Sequence, residues 1–325
     1  MITKLQYYVS RETDPYINLA TETYLLDTVD ENTLVLYLWQ NKNTVVIGRN
    51  QNPWAECRCA ALQEDGGVVA RRLSGGGAVF HDLGNVNFTF LCTEDNEDIG
   101  RNMRIIQRAC AMEGIAAEVS GRNDITVNGR KFSGNAFRYV KGKCLHHGTI
   151  LVNADTEKLG EYLTPPKAKL QSKGVKSVGA RVVNLSELSP TVTCAGMMQH
   201  LQTAFAETLG LPLERMETID TERVATLAAQ YGTWEYIYGK TIDFSASIEG
   251  RFACGQVQLL LKIEDGTIVN AQTFTDALDG DLAENIATAL VGCRYECPTV
   301  TARLATTLTG EVLADLTALF EEQGF

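Results

Sequence analysis

Residues 116–152 carry the sequence AAEVSGRNDITVNGRKFSGNAFRYVKGKCLHHGTILV, and its turns indicate the class of fold. Asn128-Gly129 is a strong hairpin turn sequence, and residues 141–143, Lys-Gly-Lys, form a second one. The apolar residues between these turns predict at least three strands in an antiparallel meander. Strands elsewhere in the chain also meet through short turns more often than through helical crossovers. The sequence therefore predicts an α+β fold and not a doubly wound parallel sheet.

Strand and helix patterns extend over the remainder of the chain. Asp14 can cap a helix that runs to about Thr28, and Pro15 suits its first position. Further strands are predicted at 4–9, 33–39, 44–49, 68–73, 78–80, 85–91, 248–253, 256–263 and 267–274. Further helices are predicted at 53–66, 96–113, 192–209, 220–231, 281–291 and 310–322.

The chain length and one irregular segment predict two domains. At about 150 residues per domain, 325 residues suggest two. Residues 234–244 lack a regular pattern, so we place the boundary there. The expected units are a large domain over 1–240, with a mainly antiparallel sheet flanked by helices, and a small α+β domain over 247–325.

Composition excludes several classes of protein. The net charge is −11, which argues against a general nucleic-acid binder. No apolar stretch reaches the ~18 residues of a membrane span, and the N-terminus lacks the order of a signal peptide. We therefore expect a cytoplasmic protein whose nine cysteines are thiols. No large apolar patch is evident, so we expect a monomer.

Positive charge is concentrated in the middle of this acidic chain. Residues 71–181 hold 17 Lys and Arg against 11 Asp and Glu. A basic stretch in an acidic protein is typical of an anion-binding site.

Residues 71–82, Arg-Arg-Leu-Ser-Gly-Gly-Gly-Ala-Val-Phe-His-Asp, form the strongest motif in the chain. Three glycines after a strand let the backbone approach a ligand and turn its N–H groups toward phosphate or carboxylate oxygens. Arg72 can add charge-assisted contacts. The chain has neither a Walker A loop nor a Gly-x-Gly-x-x-Gly with a downstream acid, so a dinucleotide fold is unsupported.

A second motif spans residues 121–136 and contains a lysine among small residues. Lys131 lies on a predicted strand near Ser133, Gly134 and Ala136. An ammonium group there could neutralise charge on a reacting carboxylate and phosphate. Asp124 could hold Mg²⁺ through phosphate-bound water.

Two further segments stand out. His146 and His147 are adjacent on a predicted strand, so they point to opposite faces and cannot easily share one metal ion. We expect one of them to face a pocket and the other to face solvent. Residues 173–178, Lys-Gly-Val-Lys-Ser-Val, predict a mobile loop after Pro165-Pro166.

At these four blocks the sequence resembles the lipoate–protein ligase A family of biotin/lipoate protein ligases. Segments that look like the family also occur at 14–20, 44–54, 177–185 and 274–276, so the resemblance covers nearly the whole chain. It implies a catalytic sheet shared with biotin–protein ligases and, distantly, with class II aminoacyl-tRNA synthetases.

The resemblance also implies a reaction and its partners. Such an enzyme activates lipoate, or octanoate, with Mg-ATP to the acyl-adenylate and releases pyrophosphate. It then passes the lipoyl group to a lysine of a lipoyl domain in 2-oxoacid dehydrogenase complexes or of the glycine cleavage H protein. Neither nucleic acid nor membrane is an expected partner.

Residue roles follow from the same resemblance. Lys131 would be catalytic and would contact both the lipoyl carbonyl and the α-phosphate. ATP or the adenylate would contact Arg72, Gly75, Gly76, Gly77, Ala78, Val79, Phe80, Asp124 and Lys131. Lipoate would contact Arg72, Ser74, Gly77, His81, Lys131, Ser133, Gly134, Ala136, His147, Gly148 and Thr149. The loop that closes over the adenylate would contain Lys173, Gly174, Val175, Ser177 and Val178.

Three alternatives to this function differ in what they require of the sequence. Cys144 could be the nucleophile of an octanoyl or lipoyl transferase that needs no ATP, because Lys143 and His146 could lower the pKa of its thiol. Biotin ligation would require a basic Gly-Arg-Gly-Arg-Arg loop, which the chain lacks. A lipoate-binding module without activity would not need so many phosphate-directed groups.

Overall fold

The computed structural model describes residues 1–121, 123–163, 182–238 and 246–322, apart from the side chains of Trp54 and Ala55. The chain divides into two compact units. The first unit comprises Met1–Val46, Cys57–Ala70 and Val79–Thr233. The second unit comprises Ile47–Glu56, Arg71–Ala78 and Trp234–Phe325.

Strands and helices alternate irregularly along the described chain. The strands are β1 (Lys4–Val9), β2 (Thr33–Trp39), β3 (Thr44–Ile47), β4 (Val68–Arg71), β5 (Val79–His81), β6 (Asn85–Thr93), β7 (Glu118–Ser120), β8 (Asp124–Val127), β9 (Arg130–Val140), β10 (Lys143–Leu151), β11 (Leu213–Arg215), β12 (Ala246–Phe252), β13 (Gly255–Glu264) and β14 (Thr267–Thr275). The helices are α1 (Pro15–Thr28), α2 (Pro53–Glu56), α3 (Cys59–Glu64), α4 (Ile99–Ala111), α5 (Thr156–Tyr162), α6 (Cys194–Leu209), α7 (Thr221–Tyr231), α8 (Trp234–Ile237), α9 (Leu282–Leu290), α10 (Cys297–Leu304) and α11 (Gly310–Glu322). None of these described helices is long and apolar enough to span a bilayer.

One eight-stranded sheet forms the centre of the first unit. Its strand order is β11-β1-β2-β6-β10-β9-β8-β7, and only the β1–β2 and β1–β11 pairs are parallel. The meander predicted for 116–152 is confirmed, since β7 to β10 are neighbours in chain order. At its turns Asn128, Gly129, Lys141 and Gly142 have φ of 52°, 73°, 52° and 73°. Two consecutive positive φ values are typical of the tight turns that match strand twist.

Helices α4 and α6 cover one face of this sheet. The face is apolar, and its buried core includes Leu36, Phe88, Phe90, Ile106 and Phe205. Alternate residues of β6 point into this core because side chains alternate along a strand. The amphipathic pattern of α4 follows from this packing, since only its inner side is buried.

Helix α1 covers the opposite face of the sheet. The side chain of Asp14 accepts hydrogen bonds from the amides of Tyr16 and Ile17, and Pro15 is the first helical residue, as predicted. The buried side of α1 includes the polar residues Asn18 and Glu22. This face of the sheet is therefore more polar than the α4–α6 face.

The second unit has its own sheet and core. Strands β12, β13 and β14 form an antiparallel meander, and α9, α10 and α11 contribute to a core that includes Leu259, Ile286 and Phe320. Backbone bonds attach two earlier segments: the Thr275 amide donates to Asn50 O (2.9 Å), and the Gly76 amide donates to Ala277 O (2.9 Å).

Arg71 organises the second unit from within. Its side chain is only 2% exposed, and its guanidinium donates to five main-chain carbonyls. These are Gly48 O at 3.1 Å, Arg49 O at 3.0 Å, Gln51 O at 2.8 Å, Tyr236 O at 3.1 Å and Ile237 O. Burial lowers the pKa of Arg71 to about 10, so the group stays charged at neutral pH.

Some elements differ from the sequence-based expectation. The helix predicted for 53–66 is wrong: it is divided into α2 and α3, and between them Cys57 forms a β-bridge with Leu163. Helix α5 was not anticipated, although Asp155 caps it by accepting from the amides of Glu157 and Lys158. Helix α10 and strand β11 were also missed, because both are short and take their stability from packing.

Gly84 tests the close packing of the first unit. A Cβ at this position would lie 2.0 Å from Asn153 O and 2.7 Å from Ala154 N, both backbone atoms. We expect Gly84→Ala to lower the free energy of unfolding by about 1–3 kcal/mol, the usual cost of overpacking. Urea titration measures this change. Gly160→Ala is the matched control, since Gly160 is exposed in α5 with nothing within 4 Å of its Cβ position. There we expect a gain of about 0.5–1 kcal/mol. Equal effects of the two substitutions would contradict the steric account.

Candidate functional site

Lys131 and Asp124 form an ion pair on neighbouring strands. Lys131 Nζ lies 2.7 Å from Asp124 Oδ1, and both side chains are 38% exposed. A register shift between Ile125 and Thr126 lets Asp124 pair with Gly134 while Thr126 pairs with Lys131. A half-exposed pair contributes little to stability. Its effect is to hold the ammonium in one place.

Gly134 creates space for the side chain of Lys131, and Gly148 creates space for Phe88. A Cβ on Gly134 would lie 2.9 Å from Lys131 Nζ, and one on Gly148 would lie 2.5 Å from Phe88 Cζ and 2.7 Å from Gly134 O. The Gly134 amide donates to Thr149 Oγ1 at 3.3 Å. Both glycines are therefore needed sterically, and the lysine side chain lies over Gly134.

The backbone of Lys131 also contacts the segment that follows the predicted adenylate loop. The Val183 amide donates to Lys131 O at 2.9 Å, and Val182 forms a parallel bridge with Lys131. The loop residues predicted from the sequence, 173–178, lie outside the described residues. Val182 and Val183, which are the first described residues after that range, therefore lie beside the lysine.

Strand alternation divides the remaining predicted pocket residues between two faces. His147 pairs with Ala136 on β9 and with Thr89 on β6, so these three share the face that α1 covers. Ser133 lies on the opposite face, where Asn135 Nδ2 donates to its Oγ at 3.4 Å. The structure therefore brings Ala136 and His147 together but places Ser133 behind them.

His147 is held by a buried glutamate that sequence analysis missed. Its Nδ1–H donates to Glu22 Oε1 at 2.8 Å, and Thr89 Oγ1 donates to the same oxygen at 2.7 Å. Glu22 is 1% exposed, and its Oε2 has no hydrogen-bond partner among the described residues. The sequence contained one signal for Glu22, because it is an acidic residue on the apolar side of α1. A carboxylate is rarely buried there without a partner.

The same face carries two more incompletely satisfied polar groups. Asn85 Oδ1 and Asn87 Nδ2 are buried without hydrogen-bond partners in the described part of the chain. Buried polar atoms normally find partners, and those that do not often mark a place where a ligand or water binds. Together with Glu22 Oε2, these atoms are polar groups on this face that a ligand or water could satisfy.

His146 faces the helical core and not solvent, so that expectation was wrong. Its Nε2–H donates to Asn135 Oδ1 at 2.8 Å, and its Nδ1 accepts from Asn102 Nδ2 at 3.3 Å. It packs against Phe137 with ring centroids 4.6 Å apart. Burial lowers its pKa to about 3, with a smaller contribution from His147, so the ring is neutral. His146 is a structural residue.

In the second unit, Arg72 braces the glycine segment. It is 7% exposed, and its guanidinium donates to Ser74 Oγ at 3.1 Å, Gly75 O at 2.7 Å and Gly77 O at 2.8 Å. These bonds fold the segment around the arginine. The Arg72 guanidinium, which was expected to contact a ligand directly, therefore also fixes the shape of the glycine segment.

The three glycines of the motif differ in their surroundings and in their backbone conformation. A Cβ on Gly75 would lie 2.2 Å from Ala277 O, and Gly76 has a φ of 90°, which other residues rarely adopt. The Gly76 amide is bonded to Ala277, so it is not one of the outward N–H groups that were expected. Gly77, by contrast with Gly75, has open space at its Cβ position. Ala78 ends this segment in the second unit.

The last residues of the motif belong to β5 of the first unit. Phe80 is 2% exposed and packs against Tyr162 with ring centroids 5.3 Å apart. His81 Nδ1 lies 3.2 Å from Asn41 Nδ2, and its ring contacts Trp39 edge-on. Val79 is half-buried whereas Phe80 and His81 are buried, so it is the residue of β5 that can most readily reach a ligand.

Comparisons with known families give consistent matches. A family model for the lipoyl protein ligase A/B catalytic domain matches residues 14–206. A model for the bacterial lipoate protein ligase C-terminus matches residues 241–318. Proteins named lipoate-protein ligase A from Psychrobacter cryohalolentis and Bdellovibrio bacteriovorus are each 40% identical over 303 residues, 90% of this chain and 89% of theirs.

Solved structures are also similar. P. falciparum LipL1 in complex with lipoate has a TM-score of 0.86 at 32% identity, covering 98% of this chain and 99% of that one. A bipartite lipoate protein ligase from Thermoplasma acidophilum, studied with its E2 lipoyl domain, has a TM-score of 0.63 at 27% identity over 76% of this chain and 100% of that one. A lipoate-protein ligase A bound with ATP has a TM-score of 0.61 at 25% identity over 74% and 99%.

The low pKa of His146 predicts acid sensitivity. Its folded pKa lies below the ordinary value of 6.5, so between those values the unfolded chain binds a proton that the folded chain does not. The free energy of unfolding should fall by up to about 1.4 kcal/mol per pH unit as the pH decreases from about 6.5 toward 5. Urea titrations at several pH values measure this slope.

His146→Gln should remove about one proton from that pH dependence. His200→Gln is the control, because His200 is 28% exposed and its Nε2 is bonded to Glu113 Oε1 at 2.8 Å. The control should keep the slope attributed to His146. An unchanged slope in His146→Gln would contradict the assignment.

Proposed function

The chain belongs to the lipoyl protein ligase A/B family, and from this membership we propose that it is an ATP-dependent lipoate–protein ligase. It activates lipoate, or octanoate, with Mg-ATP to the acyl-adenylate and releases pyrophosphate. It then transfers the acyl group to a lysine of a lipoyl domain. Two findings support this function. Family models match both the catalytic and the C-terminal part of the chain, and the fold is similar to ligases bound with lipoate and with ATP.

Lys131 is the residue we assign to catalysis. Adenylation requires a carboxylate to attack the α-phosphate, so two anions must be held together although they repel each other. The observation that carries the assignment is the Lys131 ammonium, which lies over Gly134 and 2.7 Å from Asp124. A charge fixed before the reaction stabilises the developing charge without having to reorganise.

Nucleotide binding is assigned to the glycine motif. Arg72 fixes the carbonyls of Gly75 and Gly77, and Gly77 leaves its own Cβ position open for a ligand. The complete proposed set is Arg72, Gly75, Gly76, Gly77, Ala78, Val79, Phe80, Asp124 and Lys131. The role of Arg72 is then to shape the segment as well as to add positive charge.

Mg²⁺ fits this site only as a companion of the phosphates. Among the described residues no group of three or more His, Cys, Asp and Glu could hold a metal ion. Asp124 supplies a single half-exposed carboxylate, and Mg²⁺ commonly uses one carboxylate with phosphates and water. Bound there, Mg²⁺ would neutralise phosphate charge, and Asp124 would orient it through water.

The acyl group is assigned to the face of the sheet that α1 covers. Gly134, Ala136, His147 and Thr149 contribute from β9 and β10, and we add Glu22 because it holds His147. Gly148 and Ser133 shape the pocket from behind by admitting Phe88 and supporting Asn135. Arg72, Ser74, Gly77, His81 and Lys131 complete the proposed set.

A cysteine-dependent transferase is the weaker alternative. Cys144 is 4% exposed and lies on the core face of β10, whereas His147 lies on the other face. Burial and a hydrogen bond to Cys92 raise the pKa of its thiol, which opposes thiolate formation. The nearby His146 is neutral and bonded to two asparagines, so it is not available as a base. The geometry thus favours the ATP-dependent reaction.

The acceptors we propose are the lipoyl domains of 2-oxoacid dehydrogenase E2 subunits and the glycine cleavage H protein. Similarity to an archaeal ligase studied with its E2 lipoyl domain supports a lipoyl-domain acceptor. We assign the chemistry to residues 1–240 and an accessory role to 247–325. We further propose that the enzyme acts as a cytoplasmic monomer.

Lipoate-dependent exchange between ATP and pyrophosphate tests the first step without any acceptor. We expect exchange to require both lipoate and Mg²⁺, since the acyl-adenylate must form reversibly. Cys144→Ser should exchange at the normal rate. Failure of the folded protein to exchange, with acyl transfer that needs Cys144 and no ATP, would support the transferase instead.

Lys131→Ala should lower the exchange rate by at least about 10²-fold, the usual cost of one preorganised charge. Lys143→Ala is the matched control, because Lys143 Nζ donates to Asp27 O at 2.7 Å and is not assigned to the site. The control should exchange normally. Near-normal exchange by folded Lys131→Ala would refute the catalytic role.

A further inference from the structure

Cys92 and Cys144 form a buried thiol pair that the proposed function does not use. They are directly opposite each other on the antiparallel strands β6 and β10, and their Sγ atoms are 3.4 Å apart. Their exposed fractions are 2% and 4%. All nine cysteines lie in the described ranges, and all are free thiols.

The backbone already has the geometry that a disulfide requires. Residues directly opposite on antiparallel strands have Cα atoms roughly 4.5–5.5 Å apart. Disulfides accept Cα separations of about 4.4–6.8 Å, with the sulfurs at about 2.05 Å. Closing the bond therefore requires the two sulfurs to approach by side-chain rotation and a small strand adjustment, and not by unfolding.

The two thiols are chemically unequal. The hydrogen bond between the two sulfurs and the positive charge of Arg101 lower the pKa of Cys92. The same hydrogen bond and burial raise the pKa of Cys144. Cys92 is thus the better nucleophile, and Cys144 is a protonated partner within contact distance. This is the arrangement of an attacking and a resolving cysteine.

We propose that Cys92 and Cys144 form an oxidisable dithiol, a modification site that hydrogen peroxide converts to an intramolecular disulfide. The Cys92 thiolate attacks a peroxide oxygen, and the O–O bond breaks to give a sulfenic acid and, after protonation, one water. The Cys144 sulfur then attacks the Cys92 sulfur, its proton leaves with the departing hydroxide as a second water, and the S–S bond forms. Two thiols and one peroxide yield one disulfide and two waters.

Both cysteines lie near strand ends, where local opening would admit a small oxidant. Cys92 is the penultimate residue of β6, and Cys144 is the second residue of β10, directly after the turn at 141–142. Strand ends open more readily than strand centres. The bond would link β6 to β10 on the face opposite Thr89 and His147, and β10 also carries the proposed pocket residues His147 and Thr149. The proposal itself does not depend on that pocket.

Thiol counting and peptide mapping test the proposal. The starting variant replaces the partly exposed Cys194, Cys254 and Cys297 by Ser, so that oxidation at the surface does not obscure the result. After treatment with hydrogen peroxide, we expect the loss of two thiols, the loss of two hydrogen atoms in the intact mass, and a cross-linked peptide pair containing Cys92 and Cys144. Dithiothreitol should restore both thiols.

Single substitutions in this background provide the controls. Cys92→Ala and Cys144→Ala should each abolish the cross-link. Cys110→Ala should retain it, because Cys110 is equally buried in the same core and its pKa is raised by burial alone.

Three outcomes would overturn the proposal. Both thiols could remain free in the native protein at peroxide concentrations that oxidise Cys92 and Cys144 in the urea-unfolded protein. The cross-link could map to Cys57 and Cys59 instead. Cys92 could advance to the sulfinic acid with Cys144 intact.

Discussion

A buried guanidinium with main-chain partners is the constraint on which the second unit depends. Arg71 contacts five carbonyls drawn from 48–51 and 236–237, and it is also the first residue of the motif at 71–82. A buried cation is tolerated only when its donors are satisfied, and each hydrogen bond to a charged group contributes roughly 1.5–3 kcal/mol. Two segments distant in sequence are therefore held around a side chain from a third. Arg72 then repeats the device on a smaller scale by gathering the carbonyls of the glycine segment itself.

The glycines of the proposed site act mainly by leaving space. Gly134 makes room for the Lys131 ammonium, Gly148 admits Phe88, and Gly75 lets backbone atoms of residues 277–278 approach. Only Gly76 is required for its backbone angle, with a φ of 90°. Gly75, Gly134 and Gly148 therefore lie in closely packed surroundings. This rigidity is what a preorganised site requires, since catalytic groups must hold their positions before the substrate arrives.

The adjacent histidines show how one residue step separates structure from function. His146 is neutral in the helical core between two asparagines, whereas His147 contacts Glu22 on the face of the pocket. Because side chains alternate along a strand, neighbours in sequence enter different environments. The same alternation places Cys144 with His146 and away from the proposed pocket, which is why a reactive thiol pair can lie on β6 and β10 without taking part in the ligase chemistry.

The sequence by itself determined the antiparallel meander, its turns and the residue types of the proposed site. These features are local, since turn geometry depends on neighbours such as Asn128-Gly129, and strand alternation has a period of two. Only the tertiary structure decided that Glu22 holds His147, that Arg71 gathers 48–51 with 236–237, and that the glycine motif divides after Ala78 between the two units. These contacts join residues distant in sequence. They form because buried charges and polar groups must find partners wherever packing brings them, and no local pattern records that choice.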